Sequence, residues 1–80
     1  MTITLKYFGL LTDITHKKEE ILQLNDEDFS VNLLKSKLEL DYKGFKNTIY
    51  SVAVNQSLSQ LDYRIKNEDV IAFLPPFAGG

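Results

Sequence analysis

The chain ends Pro75-Pro76-Phe77-Ala78-Gly79-Gly80, and here residue type and spacing point to chemistry. Both prolines and two of the four glycines fall within these six positions. Proline fixes φ and lacks an amide donor, so Pro75-Pro76 predict a stiff, extended exit from the preceding element. Six extended residues reach roughly 20 Å. Glycine has no Cβ, so Gly79-Gly80 can thread a channel that any larger side chain would block. The expectation is a substrate-like C-terminus, in which Gly80 presents the reacting carboxylate. Pro75, Pro76, Phe77, Ala78 and Gly79 are then the segment inserted in a partner. Chain ends are commonly frayed and Gly-Gly alone is unremarkable, so the body that carries the tail decides the reading.

The rest of the chain is poor in reactive groups. It contains no cysteine, which excludes disulfide scaffolds, thiolate nucleophiles, iron–sulfur clusters and Cys-ligated zinc. One histidine, His16, reads as a solvated residue, and no metal site is expected. Asn25-Asp26-Glu27-Asp28 is acidic, but carboxylates just ahead of a helix more often complement the positive end of its dipole than bind a cation. With nine Lys and Arg against eleven Asp and Glu, the net charge of −2 does not suggest nucleic acid as a partner. Eighty residues allow one small domain with a thin core, so a deep substrate pocket is not expected. Met1 to Leu5 lacks the features of a signal peptide. The longest apolar run, Val70 to Leu74, is far short of the roughly 20 residues that span a bilayer. A cytoplasmic protein without membrane contact is the expectation.

The elements that must position the tail follow from periodicity. Thr2 to Phe8 alternates, with Ile3, Leu5 and Tyr7 on one face and Thr4, Lys6 and Phe8 on the other, and predicts a half-buried strand. Gly9 to Ile14 predicts a turn or a single helical turn. Ile21 to Leu24 reads as the buried part of a second strand, antiparallel to the first. Ser30 is a good helix N-cap, and Val31, Leu34, Leu38 and Tyr42 form one helical stripe, with Gly44 as terminator. Leu33 and Leu40 fall on the opposite side, where partial burial under neighbouring loops is expected. Thr48 to Val54 predicts a third strand turned by Asn55-Gln56-Ser57. Tyr63-Arg64-Ile65 predicts a short edge strand, Lys66 to Asp69 a turn, and Val70 to Leu74 the last strand, ended by Pro75-Pro76. This order predicts an α+β domain over residues 1–74, a mixed sheet with one main helix on one face, and a tail over 75–80. If first and last strands pair in parallel, the topology is the β-grasp of ubiquitin.

On such a body the Gly-Gly end gains meaning. The chain resembles the ubiquitin-like sulfur-carrier family, most closely its molybdopterin synthase small subunits. The resemblance rests on Tyr7-Phe8, the Val31/Leu34/Leu38 helix, Ala53-Val54-Asn55-Gln56, and Asp69 to Pro76 through Gly79-Gly80. Glu68 departs from it, standing where the family usually has Gly, with Asn67 expected to take the left-handed conformation instead. Phe77-Ala78 departs from the usual small apolar and Ser or Thr pair.

The resemblance implies a carrier that is not an enzyme on its own and binds no cofactor. An ATP-dependent activating enzyme would adenylate Gly80, and a persulfide-derived sulfur would displace AMP to leave a thiocarboxylate. Within the large synthase subunit this group would donate sulfur to cyclic pyranopterin monophosphate, in a family that forms a heterotetramer of two small and two large subunits. Strand parity adds a docking surface: with Ile71 and Phe73 facing the helix, Val70, Ala72 and Leu74 face outward beside Lys6 and Phe8, with Leu58 nearby. The competing readings are a carrier for thiamin thiazole synthesis, a ubiquitin-like protein modifier and a β-grasp binding module with an inert tail. Pro75-Pro76 argues against the thiazole carrier, whose family usually lacks it.

Overall fold

The computed structural model describes residues 1–25 and 27–76. Its elements in order are β1 (Thr2–Tyr7), α1 (Leu10–Thr15), β2 (Glu19–Gln23), α2 (Val31–Asp41), β3 (Ser51–Val54), β4 (Ser57–Leu58) and β5 (Val70–Leu74). They form a five-stranded sheet in the order β2-β1-β5-β3-β4. β1 and β5 pair in parallel at the centre, with Leu5 opposite Ile71 and Tyr7 opposite Phe73. β2 and β3 flank them antiparallel. This is the expected β-grasp topology.

The alternation of β1 places Ile3, Leu5 and Tyr7 in the core and leaves its other side chains partly exposed. α2 covers that face through Val31, Leu34 and Leu38, each worth roughly 1.5–3 kcal/mol when fully buried. Its start is fixed by Ser30, whose Oγ accepts the Leu33 N–H at 3.2 Å. It ends at Asp41, and Gly44, at φ 93°, makes the turn that follows. The α2 end of the core is aromatic. The Tyr7 and Phe73 rings stack at 5.7 Å, and Phe45 meets Phe73 edge-on at 5.7 Å and Tyr50 at 5.0 Å. Such pairs add about 0.5–1.5 kcal/mol each beyond area burial.

Several expectations are corrected. Tyr63–Ile65 is not an edge strand: only an isolated bridge joins Arg64 to Ser30, because Tyr63 and Leu61 instead accept the first α2 amides, Val31 N–H at 3.0 Å and Asn32 N–H at 2.9 Å. β4 forms the edge of the sheet beside β3, and β2 forms the other edge. β3 begins at Ser51 rather than Thr48, since Thr48 turns back to donate its hydroxyl to the Gly44 carbonyl at 2.8 Å. Ile21 is 65% exposed, because the register with β1 puts it opposite Thr4 on the outer face. Leu40, 88% exposed, has no loop over it, and Leu33 is also exposed. Glu68, not Asn67, takes the left-handed conformation at φ 70°; the Asn67 side chain accepts the Thr2 N–H at 2.8 Å. His16 is solvent-exposed, as expected, and caps α1. Glu27 and Asp28 are exposed, with Asp28 paired to Arg64, and Asp26 lies outside the described residues.

Candidate functional site: the outer sheet face and the exit of the tail

The sheet face away from α2 is built by strand register. Lys6, Ala72, Ala53 and Leu58 form one row across β1, β5, β3 and β4. Thr4 and Val70 pair in the row below, and Ser51 and Leu74 in the row above. The predicted interface residues Lys6, Ala72, Leu74 and Leu58 therefore share this face, with Leu58 77% exposed. Phe8 lies one residue beyond β1 and is also exposed. Lys6, Phe8, Asn55, Gln56, Val70 and Ala72 line an open concavity of about 460 Å³. Ala72 is too small to fill it, and no element of the fold covers it among the described residues. It is shallow and mixed in character, suited to a protein side chain rather than to enclosing a small substrate.

β5 leaves this face directly as the tail. Leu74 pairs with Ser51, and Pro75 and Pro76 follow without a further strand position. Pro75 passes against Gly9: a Cβ built there would lie 2.9 Å from Pro75 Cγ, and Gly9 has φ 55°. The absent side chain lets the tail leave close to the start of α1. Phe77, Ala78, Gly79 and Gly80 lie outside the described residues.

Two polar clusters tie the strands to their neighbours, one beside the site and one on the opposite side of the sheet, and neither was named from the sequence. The buried Asp69 precedes β5 and accepts hydrogen bonds from Asn55 Nδ2 at 2.9 Å, Tyr63 Oη at 3.0 Å and Lys66 N–H at 2.8 Å. Asn55 Oδ1 accepts the Val70 N–H at 3.0 Å. The β3–β4 turn is thus clamped to the start of β5, at the foot of the concavity. On the core side, Glu20 accepts hydroxyls from Tyr7 at 2.6 Å and Tyr42 at 2.7 Å, and pairs with Lys17 at 3.3 Å. Burial would raise the Glu20 pKa, but these three donors outweigh it and hold the carboxyl below its ordinary range. Burial, then the Glu20 carboxylate, pushes the Tyr7 phenol well above its ordinary value. Alternation held a signal for Glu20, since it shares parity with Leu22 and Leu24; the Asp69–Asn55 pairing, fourteen positions apart, left none.

Among the described residues no group of three or more His, Asp or Glu is placed to hold a metal ion, and no helix is long and apolar enough to cross a membrane.

Known proteins share this architecture. The chain assigned as molybdopterin converting factor subunit 1 in Pyrococcus furiosus superposes with a TM-score of 0.87 at 23% identity, over 95% of this chain and 98% of that one. A chain from the complex of subunits 1 and 2 of molybdopterin-converting factor from Helicobacter pylori gives 0.71 at 26% identity, over 100% of both. Small archaeal modifier protein SAMP1 of Haloferax volcanii gives 0.80 at 19% identity, over 100% of both. Residues 5–80 match the model of the ThiS family, a span that includes Lys6, Phe8, Leu58, Val70, Ala72 and Leu74 and the tail. The chain belongs to the ThiS family and has its ubiquitin-like, sulfur-carrier type of fold.

Proposed function

We propose that the chain is the sulfur-carrier subunit of molybdopterin synthase. The observation that carries this reading is the continuity of β5: one strand lays the partly exposed Val70, Ala72 and Leu74 on the outer face and passes into Pro75-Pro76, which the sequence follows with Phe77-Ala78-Gly79-Gly80. The match to the ThiS family extends over the same residues to position 80. The likeness to a Helicobacter pylori subunit found in complex with its second subunit supports the existence of a partner subunit.

In the proposed cycle, an activating enzyme couples the Gly80 carboxylate to ATP, releasing pyrophosphate and forming an acyl-adenylate. The mixed anhydride turns a poor electrophile into a good one. The terminal sulfur of a donor persulfide then displaces AMP at the acyl carbon to give an acyl disulfide, and a second thiol cleaves that S–S bond, leaving as a disulfide with the donor sulfur and releasing the thiocarboxylate. The resulting thiocarboxylate is anionic at neutral pH and a strong sulfur nucleophile, so it needs no general base from this chain. The outer face docks on the large subunit, Pro75 and Pro76 direct the exit, and Phe77, Ala78 and Gly79 lead Gly80 to cyclic pyranopterin monophosphate. Pterin binding and basic residues for its phosphate belong to the large subunit. ATP is held by the activating enzyme, and no cofactor by this chain. A heterotetramer in the cytoplasm is the proposed working form.

Reconstitution tests the reading. The thiocarboxylated chain mixed with the large subunit and pterin precursor should yield the dithiolene product, and one residue appended after Gly80 should abolish it. Transfer only to a thiazole-forming acceptor would support the thiamin carrier instead, and isopeptide bonds to lysines the modifier reading. Full activity of the extended chain would contradict every carrier reading.

A further inference from the structure

The β3–β4 hairpin turns on two residues with positive φ, Asn55 at 50° and Gln56 at 74°. Asparagine tolerates this region, but the second place of such a two-residue loop favours glycine, because a Cβ there is strained. Asn55 is explained from within the protein. Its amide bonds Asp69 and Val70 as described, and its own N–H donates to the Val70 carbonyl at 2.8 Å. These bonds fix the loop at Asn55, and Gln56, the second of the two residues that join the paired Val54 and Ser57, takes the left-handed conformation that so tight a turn requires. The Gln56 side chain is exposed at the rim of the concavity that it shares with Phe8, Val70 and Ala72. A residue type that opposes its own backbone and sits beside a docking face points to a role for the side chain. Glu68 has a similar φ of 70°, but its side chain does not line that concavity.

We propose that Gln56 is a recognition residue for the subunit that receives the tail. Its primary amide, both donor and acceptor, exchanges hydrogen bonds with backbone amide groups of that subunit where it lies over the outer face. The second subunit is the occupant because β5 contributes Val70 and Ala72 to the concavity and then becomes the inserted segment. The Asp69–Asn55 clamp holds the loop backbone from which Gln56 projects, so little backbone freedom is lost on docking. This inference rests on the carrier reading proposed above.

The test compares Gln56→Gly and Gln56→Ala in the full chain, by thermal unfolding and by calorimetric titration with the large subunit. Gln56→Gly relieves the backbone and should raise Tm by roughly 4–8 °C, while weakening the complex roughly three- to tenfold. Gln56→Ala keeps the strain, leaves Tm near that of the parent chain and weakens the complex to a similar degree. A Gln56→Gly chain that binds as tightly as the parent overturns the inference, as does one that gains no stability. A parent chain that forms no complex overturns the carrier reading and this inference with it.

Discussion

β5 shows both faces of the molecule within five residues. Ile71 and Phe73 are fully buried against α2 and the aromatic cluster, whereas Val70, Ala72 and Leu74, equally apolar, are only partly covered. A strand of period two normally alternates apolar with polar when one face meets water. This one does not. Hydrophobicity therefore does not distinguish the two faces; coverage does. The inner face is closed by elements of the same chain, whereas among the described residues the outer side chains of β5 stay partly exposed. Under the proposed function the two faces also differ in how they tolerate change. The inner one then answers to packing, and the outer one to shape and charge at a partner's surface.

The largest effect should come from the inner face. Phe73→Ala removes the ring that contacts Tyr7, Phe45 and Tyr50, and should lower unfolding free energy in urea by about 3–5 kcal/mol. Its neighbour should do the opposite. Leu74→Asp should leave the urea midpoint close to that of the parent but weaken the large-subunit complex by about 2 kcal/mol, the scale of an interface hot spot. Phe8→Asp should behave in the same way. If Leu74→Asp unfolds the chain, the two faces are not separable in the way described.

Asp69→Ala joins the two faces, because it frees the β3–β4 turn from β5 and leaves the Tyr63 hydroxyl and Asn55 amide without their acceptor. We expect a loss of about 1–3 kcal/mol in stability, together with faster amide hydrogen exchange at Asn55 and Val70. Exchange rates that do not change would remove the clamp from the account.

The smallest effect belongs to Glu20. Its folded pKa lies below the ordinary value of 4.5, so its contribution is fully present above that pH and is lost as pH falls through the folded pKa. The difference in Tm between the parent and Glu20→Gln should therefore be largest near neutrality and should close as the solution is acidified. A gap that widens in acid would contradict the assigned direction.

Much of the inner face was legible in the sequence. The alternation of Ile3, Leu5 and Tyr7, the Val31/Leu34/Leu38 stripe behind Ser30, and the run from Val70 into Pro75-Pro76 each follow from the period of a single element. What was not legible depends on contacts between elements. Tyr63–Ile65 has strand-like composition, yet its backbone serves the first turn of α2. Thr48–Tyr50 is β-branched and aromatic, yet it bends back toward Gly44 so that Tyr50 reaches Phe73. Ile21 was assigned to the core on hydrophobicity, and only the pairing with Thr4 shows it outside. The outer face itself was readable from parity, but the left-handed φ of Gln56 was not, because it follows from the pairing of Val54 with Ser57, which leaves only two residues for the turn.

The central claim is that the Gly80 carboxylate is the group that carries sulfur, and intact mass tests it most directly. The chain would be incubated with its activating enzyme, ATP, a persulfide donor and a thiol reductant, then weighed whole and as C-terminal peptides. The account predicts that one oxygen is exchanged for sulfur, and that the change is confined to the peptide ending in Gly80. An unchanged mass in the presence of a competent enzyme, or sulfur found elsewhere in this cysteine-free chain, would contradict it.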